Sequence, residues 1–190
     1  ITSFLVATPK VMTNFQHSYY EHDGVTLHFV EATAESAIED RPLVLFYHGF
    51  PLFWYSFHHQ MTALKERYRV VAVDGPGINL SSKPAELDAY RLPKLAEQLE
   101  GLSQHLVGDE PFYLVGHDWG GALAWSYAQA YSHRLRKVVG INAPPTNQLL
   151  GLLETNADQQ ARSQYMYSMR DGDTHRLLTE NGGERMWKNA

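Results

Sequence analysis

The stretch LVGHDWGGALAW, Leu114 to Trp125, joins two patterns that belong to different kinds of backbone. Phe112 to Val115 is apolar throughout and too short for a helix, which suits a strand covered on both faces. From Ala122 onward, Ala122, Trp125 and Ala128 recur near the 3.6-residue period of a helix. Between them, Gly116-His117-Asp118-Trp119-Gly120-Gly121 supplies a tight turn. The middle residue of such a bend takes a strained conformation and needs small neighbours two places before and two places after it. Gly116 and Gly120 stand there. The side chain so aimed is the carboxylate of Asp118. A competing reading makes Asp118 an ordinary cap of the following helix, since Asp is favoured at that position. The two readings differ in whether the carboxylate is tied to its own helix.

Working outward, the same kind of short apolar run recurs at Leu43–Tyr47, Val70–Val73 and Val138–Ile141. Gln16–Glu21 and Val25–Glu31 alternate more and flank His22-Asp23-Gly24, which predicts an antiparallel hairpin at the edge of the sheet. Helical periods lie between the buried runs: Trp54, Phe57, Met61 and Leu64, then Leu92, Leu95, Leu99, Leu102 and Leu106. Alternating strands and helices imply a mostly parallel sheet flanked by helices, with right-handed crossovers. After Ile141-Asn142-Ala143-Pro144 the composition turns polar and Met-bearing and loses every strand-like run. Two units are expected, residues 1–144 and a helical one over 145–190.

Composition narrows the function. Only 16 Lys and Arg stand against 21 Asp and Glu, a net charge of -5, so no basic stripe exists to track nucleic acid. With no cysteine there is neither a disulfide framework nor a thiolate metal site. No segment approaches the ~20 apolar residues that span a bilayer. The opening ITSFLVA is short, lacks a preceding basic region and has no initiator Met, so a trimmed N-terminus and a soluble, cytoplasmic protein are expected.

Four segments, HGFPLFWYSFHHQM (His48–Met61), VVAVDGPGINLSSKP (Val70–Pro84), LVGHDWGGALAW and VVGINAPP (Val138–Pro145), together resemble the epoxide hydrolases of the α/β-hydrolase fold, with haloalkane dehalogenases as relatives. One departure is Gly75-Pro76-Gly77-Ile78-Asn79, where such enzymes more often carry Arg or Leu before the glycine and an aromatic at position 78.

The resemblance implies a site. Asp118 would be the nucleophile, and the backbone N–H groups of Phe50 and Trp119 would form an oxyanion hole. A carboxylate nucleophile suits attack on an sp³ carbon, giving an alkyl-enzyme ester that water then hydrolyses, so an epoxide becomes a diol. Tyr165 is the first choice for the acid that protonates the epoxide oxygen, Tyr167 the second. His48, Pro51, Trp119 and Tyr167 are expected against a small hydrophobic organic substrate, with no cofactor and no metal. Residues 145–190 would begin a helical cap. The family's acid and histidine follow the cap, so the chain is expected to be the N-terminal part of a protein of roughly 300 residues and to lack turnover alone.

Two other classes stay open. A haloalkane dehalogenase would cradle a halide, but Phe50 offers no side-chain donor where many such enzymes carry Asn. A non-catalytic binding module would keep the pocket without the chemistry. Remaining polar residues read as structural. His17, His22, His28, His105, His133 and His175 lack metal-ligand spacing and read as surface or strand residues, while His175 and Asp173 fall in a loop-like run. His58 and His59 pack locally, and His117 supports the bend. Asp74 is expected to fix the Gly75–Gly77 turn through that turn's own backbone. Gly182-Gly183-Glu184-Arg185 is too isolated for a phosphate loop.

Overall fold

A computed structural model describes residues 15–34, 40–170 and 174–184. The expected hairpin is present: β1 (Phe15–His22) pairs antiparallel with β2 (Val25–Ala32) in a register that places His22 opposite Val25. Its two turn residues both carry positive φ, 49° at Asp23 and 73° at Gly24. Such a pair matches the right-handed twist of the flanking strands, and Asp-Gly adopts it at little steric cost.

Among the described residues, four further strands complete a six-stranded sheet in the order β1-β2-β4-β3-β5-β6. They are β3 (Leu43–Tyr47), β4 (Arg69–Val73), β5 (Phe112–His117) and β6 (Leu135–Ile141). β3 pairs parallel with β4 and β5, and β5 with β6, whereas β2 meets β4 antiparallel. Because side chains alternate along a strand, each buried strand feeds two cores. Leu45, Val71, Val73 and Leu114 face α2 (Leu92–Val107) and α3 (Trp119–Ala130), meeting Leu99, Leu102, Leu123 and Tyr127. Val44, Phe46, Val70 and Ala72 face the 3₁₀ turn Trp54–Phe57 and α1 (His58–Leu64), meeting Trp54, Phe57 and Met61. Each fully buried side chain of this size contributes about 1.5–3 kcal/mol.

One expectation about faces is corrected, that for α3. Among the described residues β6 ends the sheet, and there Val139 is 47% and Ile141 40% exposed. On α3 the buried side is not Ala122, Trp125 and Ala128 but Gly120, Leu123, Ala124 and Tyr127. This helix is apolar almost all round, so periodicity alone does not choose a face. The contact at Gly120 does, because a Cβ there would run into the backbone carbonyls of Tyr47 and His48.

The chain divides into compact units after Asn142, two residues before the expected boundary near Pro144. The second unit, Ala143–Ala190, contains α4 (Thr146–Thr155), α5 (Ala157–Arg162), α6 (Gln164–Arg170) and α7 (Thr174–Thr179). Asn156 caps α5, its side chain accepting the Gln159 N–H. His175 thus lies in a helix and not in a loop-like run, while Asp173, Arg185 and the opening ITSFLVA lie outside the described residues. No described helix is long and apolar enough to cross a membrane.

Candidate active site

β5 ends at His117 and α3 begins at Trp119, so the whole bend falls on Asp118, which takes φ 55° and ψ -119°. For a non-glycine residue this conformation costs of order 1–3 kcal/mol and persists only where the surroundings enforce it. Here they do. The Asp118 N–H donates to Ile141 O at 2.9 Å, and its carbonyl accepts the N–H groups of Gly121 and Ala122 at 2.9 and 3.1 Å. A Cβ on Gly116 would collide with the backbone of Gly120, so the strand and helix close on each other only through glycine.

The capping alternative fails on geometry. The Asp118 side chain makes no bond to its own helix terminus. Its Oδ1 instead accepts the main-chain N–H of Phe50 at 3.0 Å, across from the loop after β3. Gly49 permits the approach, because a Cβ there would lie 2.6 Å from that same oxygen. The Trp119 N–H, first in α3, meets no acceptor among the described residues, as is usual for the opening turn of a helix.

Behind Phe50 the loop is pinned twice. His48 is only 4% exposed, its Nδ1–H donating to Gly49 O at 2.9 Å and its Nε2 accepting the Gly75 N–H at 3.1 Å. Burial pulls its pKa below the ordinary value, against the Gly49 carbonyl bond and the Asp74 charge, which raise it. His48, expected against the substrate, thus has both ring nitrogens committed to backbone. The second pin is Asp74, fully buried, whose Oδ1 accepts the Trp54 N–H at 2.8 Å. Its Oδ2 meets His28 Nδ1 and Asn79 Nδ2, both at 2.7 Å. The carboxylate therefore joins three segments and does not act through the backbone of its own turn, which is closed by Ile78 N–H on Gly75 O at 3.1 Å.

His28 is the residue that sequence reasoning passed over. It is fully buried, and its Nε2 lies 2.9 Å from Nδ1 of His17 on β1. A signal was available: an ionisable side chain inside the apolar run LHFV must be paired to be tolerated there.

The remaining expected site residues fall as follows. Phe50 and Trp119 present apolar side chains, 41% and 57% exposed, on the two segments that bracket Asp118, and Pro51 is exposed beside Phe50. Tyr165 and Tyr167 both lie on α6 in the second unit and are both exposed. Two positions apart on a helix, they point about 200° from each other, so only one of them can serve a given site. Among the described residues no cluster of three or more His, Asp or Glu is placed to hold a metal.

Residues 42–179, spanning β3 through the elbow and into α7, match the family described as the alpha/beta hydrolase fold. The chain belongs to the α/β-hydrolase fold family. Within that family it is 34% identical over 159 residues to epoxide hydrolase 1 of Caenorhabditis elegans, covering 84% of this chain and 38% of that protein. It is 36% identical over 156 residues to the AB hydrolase superfamily protein YfhM of Bacillus subtilis, covering 82% and 53%. An epoxide hydrolase of Bacillus megaterium solved with an inhibitor superimposes with a TM-score of 0.83 at 29% identity, over 91% of this chain and 58% of that one. This α/β-hydrolase chain thus spans from 38% to 58% of the length of these relatives.

Proposed function

We propose that this chain supplies the nucleophile and the oxyanion donors of an epoxide hydrolase. The observation that carries the reading is Asp118 itself: a carboxylate held at φ 55° on the elbow, unused by its own helix, with Phe50 N–H on one oxygen. The names of the relatives supply the substrate class.

The chemistry follows from the two oxygens. Oδ1 is engaged by Phe50, so Oδ2 attacks a ring carbon of the epoxide in line. The C–O bond breaks, and the departing oxygen takes a proton from an acid, for which Tyr165 is the first candidate and Tyr167 the second. The product is an alkyl ester on Asp118. Water then adds to the ester carbonyl, losing its proton to a base that the resemblance places after the cap, and the charge that develops on the carbonyl oxygen is met by the N–H groups of Phe50 and Trp119. Collapse releases the diol and restores the carboxylate. A small hydrophobic epoxide fits the apolar side chains of Phe50 and Trp119. A halide leaving group is disfavoured because the Phe50 side chain has no donor to cradle it.

Intact mass after incubation with styrene oxide tests the proposal. One equivalent should add to the wild-type chain, map to Asp118, and be absent from Asp118→Asn. An unmodified wild-type chain, or equal labelling of the variant, would sink it, and halide release from a haloalkane would favour the dehalogenase reading.

A further inference from the structure

Asp74, which anchors the Phe50 loop through Trp54, is fully buried, and no Lys or Arg among the described residues lies within ion-pair distance of it. Its one ion-pair partner there is His28, with Nδ1 at 2.7 Å. A buried carboxylate is costly unless it is paired. Whether His28 supplies the opposite charge depends on its other nitrogen, Nε2, which faces Nδ1 of His17 at 2.9 Å. The ring centres are 5.1 Å apart and the planes inclined by 27°, so the rings meet edge to edge through those nitrogens. A contact of that length has room for one hydrogen and not for two. His28 is fully buried, whereas His17 is exposed on β1, and its Nε2 meets no partner among the described residues.

We propose that His28 is a positioning residue for Phe50, and that His17 is the port through which His28 gains and loses a proton. Neutral His28 donates Nδ1–H to Asp74 and accepts at Nε2 the Nδ1–H of His17. When solvent delivers a proton to His17 Nε2, the Nδ1 proton passes to His28 Nε2. His28 is then an imidazolium on Asp74, and His17 is neutral again as its other tautomer. The pair has gained one proton and one positive charge, and a single hydrogen still bridges the two rings. The imidazolium competes with the Trp54 N–H for the charge of the carboxylate. That N–H lies 2.8 Å from Asp74 Oδ1, and Leu52 N–H on Gly49 O at 2.9 Å closes the short loop that carries the anchor back to Phe50. The role rests on the reading of Phe50 N–H as the group that holds Asp118 and its oxyanion.

The other groups around the cluster do not supply this response. Asn79 Nδ2 donates to Asp74 Oδ2 and Ser81 Oγ to Asp74 O, and neither titrates. Tyr19 packs against His28, and Trp54 meets His17 edge-on. His58 stacks on Tyr55, next to Trp54, and its Nδ1–H donates to Tyr55 O. Tyr47 and His48 feel the Asp74 charge, but burial pushes the Tyr47 hydroxyl far above its usual range, and both His48 nitrogens are held by backbone. Lys83 Nζ donates to the carbonyls of Asn79 and Ser81 at 3.0 and 3.2 Å.

Ring and amide ¹⁵N spectra of the labelled chain, followed between about pH 8 and 5 where histidine exchanges its charge, test the role. In wild type His17 and His28 should report one shared protonation step, and the Trp54 and Phe50 amide protons should move with it, Trp54 upfield as its bond to Asp74 lengthens. His17→Gln keeps a donor for His28 Nε2 and cannot titrate. It should fold with the wild-type melting midpoint, abolish the step at His28, Trp54 and Phe50, and leave any titration of His48 as in wild type. His28→Asn, which keeps an N–H for Asp74 but loses the bridge to His17, should also lose the step at Trp54 and Phe50. Labelling of Asp118 by styrene oxide should slow at least threefold more between pH 8 and 6 in wild type than in His17→Gln. Equal slowing, a His28 that titrates in His17→Gln as in wild type or keeps one charge throughout, or a step that leaves the Trp54 and Phe50 amides unmoved would each overturn the role. No adduct in either chain would remove the epoxide hydrolase reading alone, because the amide titration needs no chemistry at Asp118 and still decides whether His28 positions the loop.

Discussion

The main-chain N–H of Phe50 and Oδ1 of Asp118 meet at 3.0 Å, although the two residues stand 68 positions apart in the chain. This bond fixes one oxygen of the carboxylate and leaves the other for the attack proposed above. It also makes the site sensitive to everything that holds the Phe50 loop against the elbow.

Gly49 is the first such point. An alanine Cβ would lie 2.6 Å from Asp118 Oδ1 and 2.8 Å from His117 O. Gly49→Ala should therefore push the loop off the elbow, with the cost of overpacking, about 1–3 kcal/mol. Labelling of Asp118 by styrene oxide should fall with it. Urea unfolding and intact mass check the two effects, and a variant as stable and as readily labelled as wild type would contradict the close approach.

Asp74 is the second. Replacing it by Asn keeps the shape but leaves one acceptor oxygen where two now serve Trp54 N–H, His28 and Asn79. Stability should drop by about 1–3 kcal/mol, the cost of leaving a buried donor unpaired. Hydrogen exchange at the Trp54 amide should accelerate more than exchange in β5. Uniform acceleration would assign Asp74 a role in general stability only.

Arg134 tests the opposite end of the fold. It is 2% exposed, lies 3.1 Å from Glu100 and donates to Gly108 O at 2.5 Å, while the Tyr127 hydroxyl also bonds Glu100. Arg134→Ala removes the cation and leaves a mostly buried carboxylate uncompensated, a loss of about 3–5 kcal/mol. Denaturant unfolding measures it. Glu100→Gln combined with Arg134→Met should recover much of the loss, because the stranded charge is then gone.

His48 predicts a pH dependence. Burial holds its folded-state pKa below the ordinary value of 6.5, so the unfolded chain binds the proton more readily. Its contribution to stability is therefore complete above pH of about 6.5 and is lost progressively as pH falls below it. The urea midpoint should decline between pH 7 and 5 more steeply in wild type than in His48→Gln. Parallel declines would show that the ring does not titrate with folding.

Much of this was legible in the order of residues. Short apolar runs with helical periods between them define alternating strands and helices, because burial on both faces of a strand and on one face of a helix demands those patterns. The Asp23-Gly24 pair specified its turn, whose positive φ suits Asp and Gly, and Gly116 and Gly120 around Asp118 specified the elbow, since a Cβ at either would run into backbone. The buried face of α3 was not legible, for a helix apolar on every side carries no directional pattern.

What the chain alone determined is local: where it must bend, which segments are strands, and that a carboxylate sits at the sharpest bend. What only the tertiary structure decided is partnership. His48 proved to be bound on both nitrogens, His28 and Asp74 proved to be a buried pair, and Asp118 proved to hold Phe50 instead of its own helix. Hydrogen bonds between segments tens of residues apart depend on strand register and on the approach of backbones, and neither is encoded in the spacing of residues along one segment.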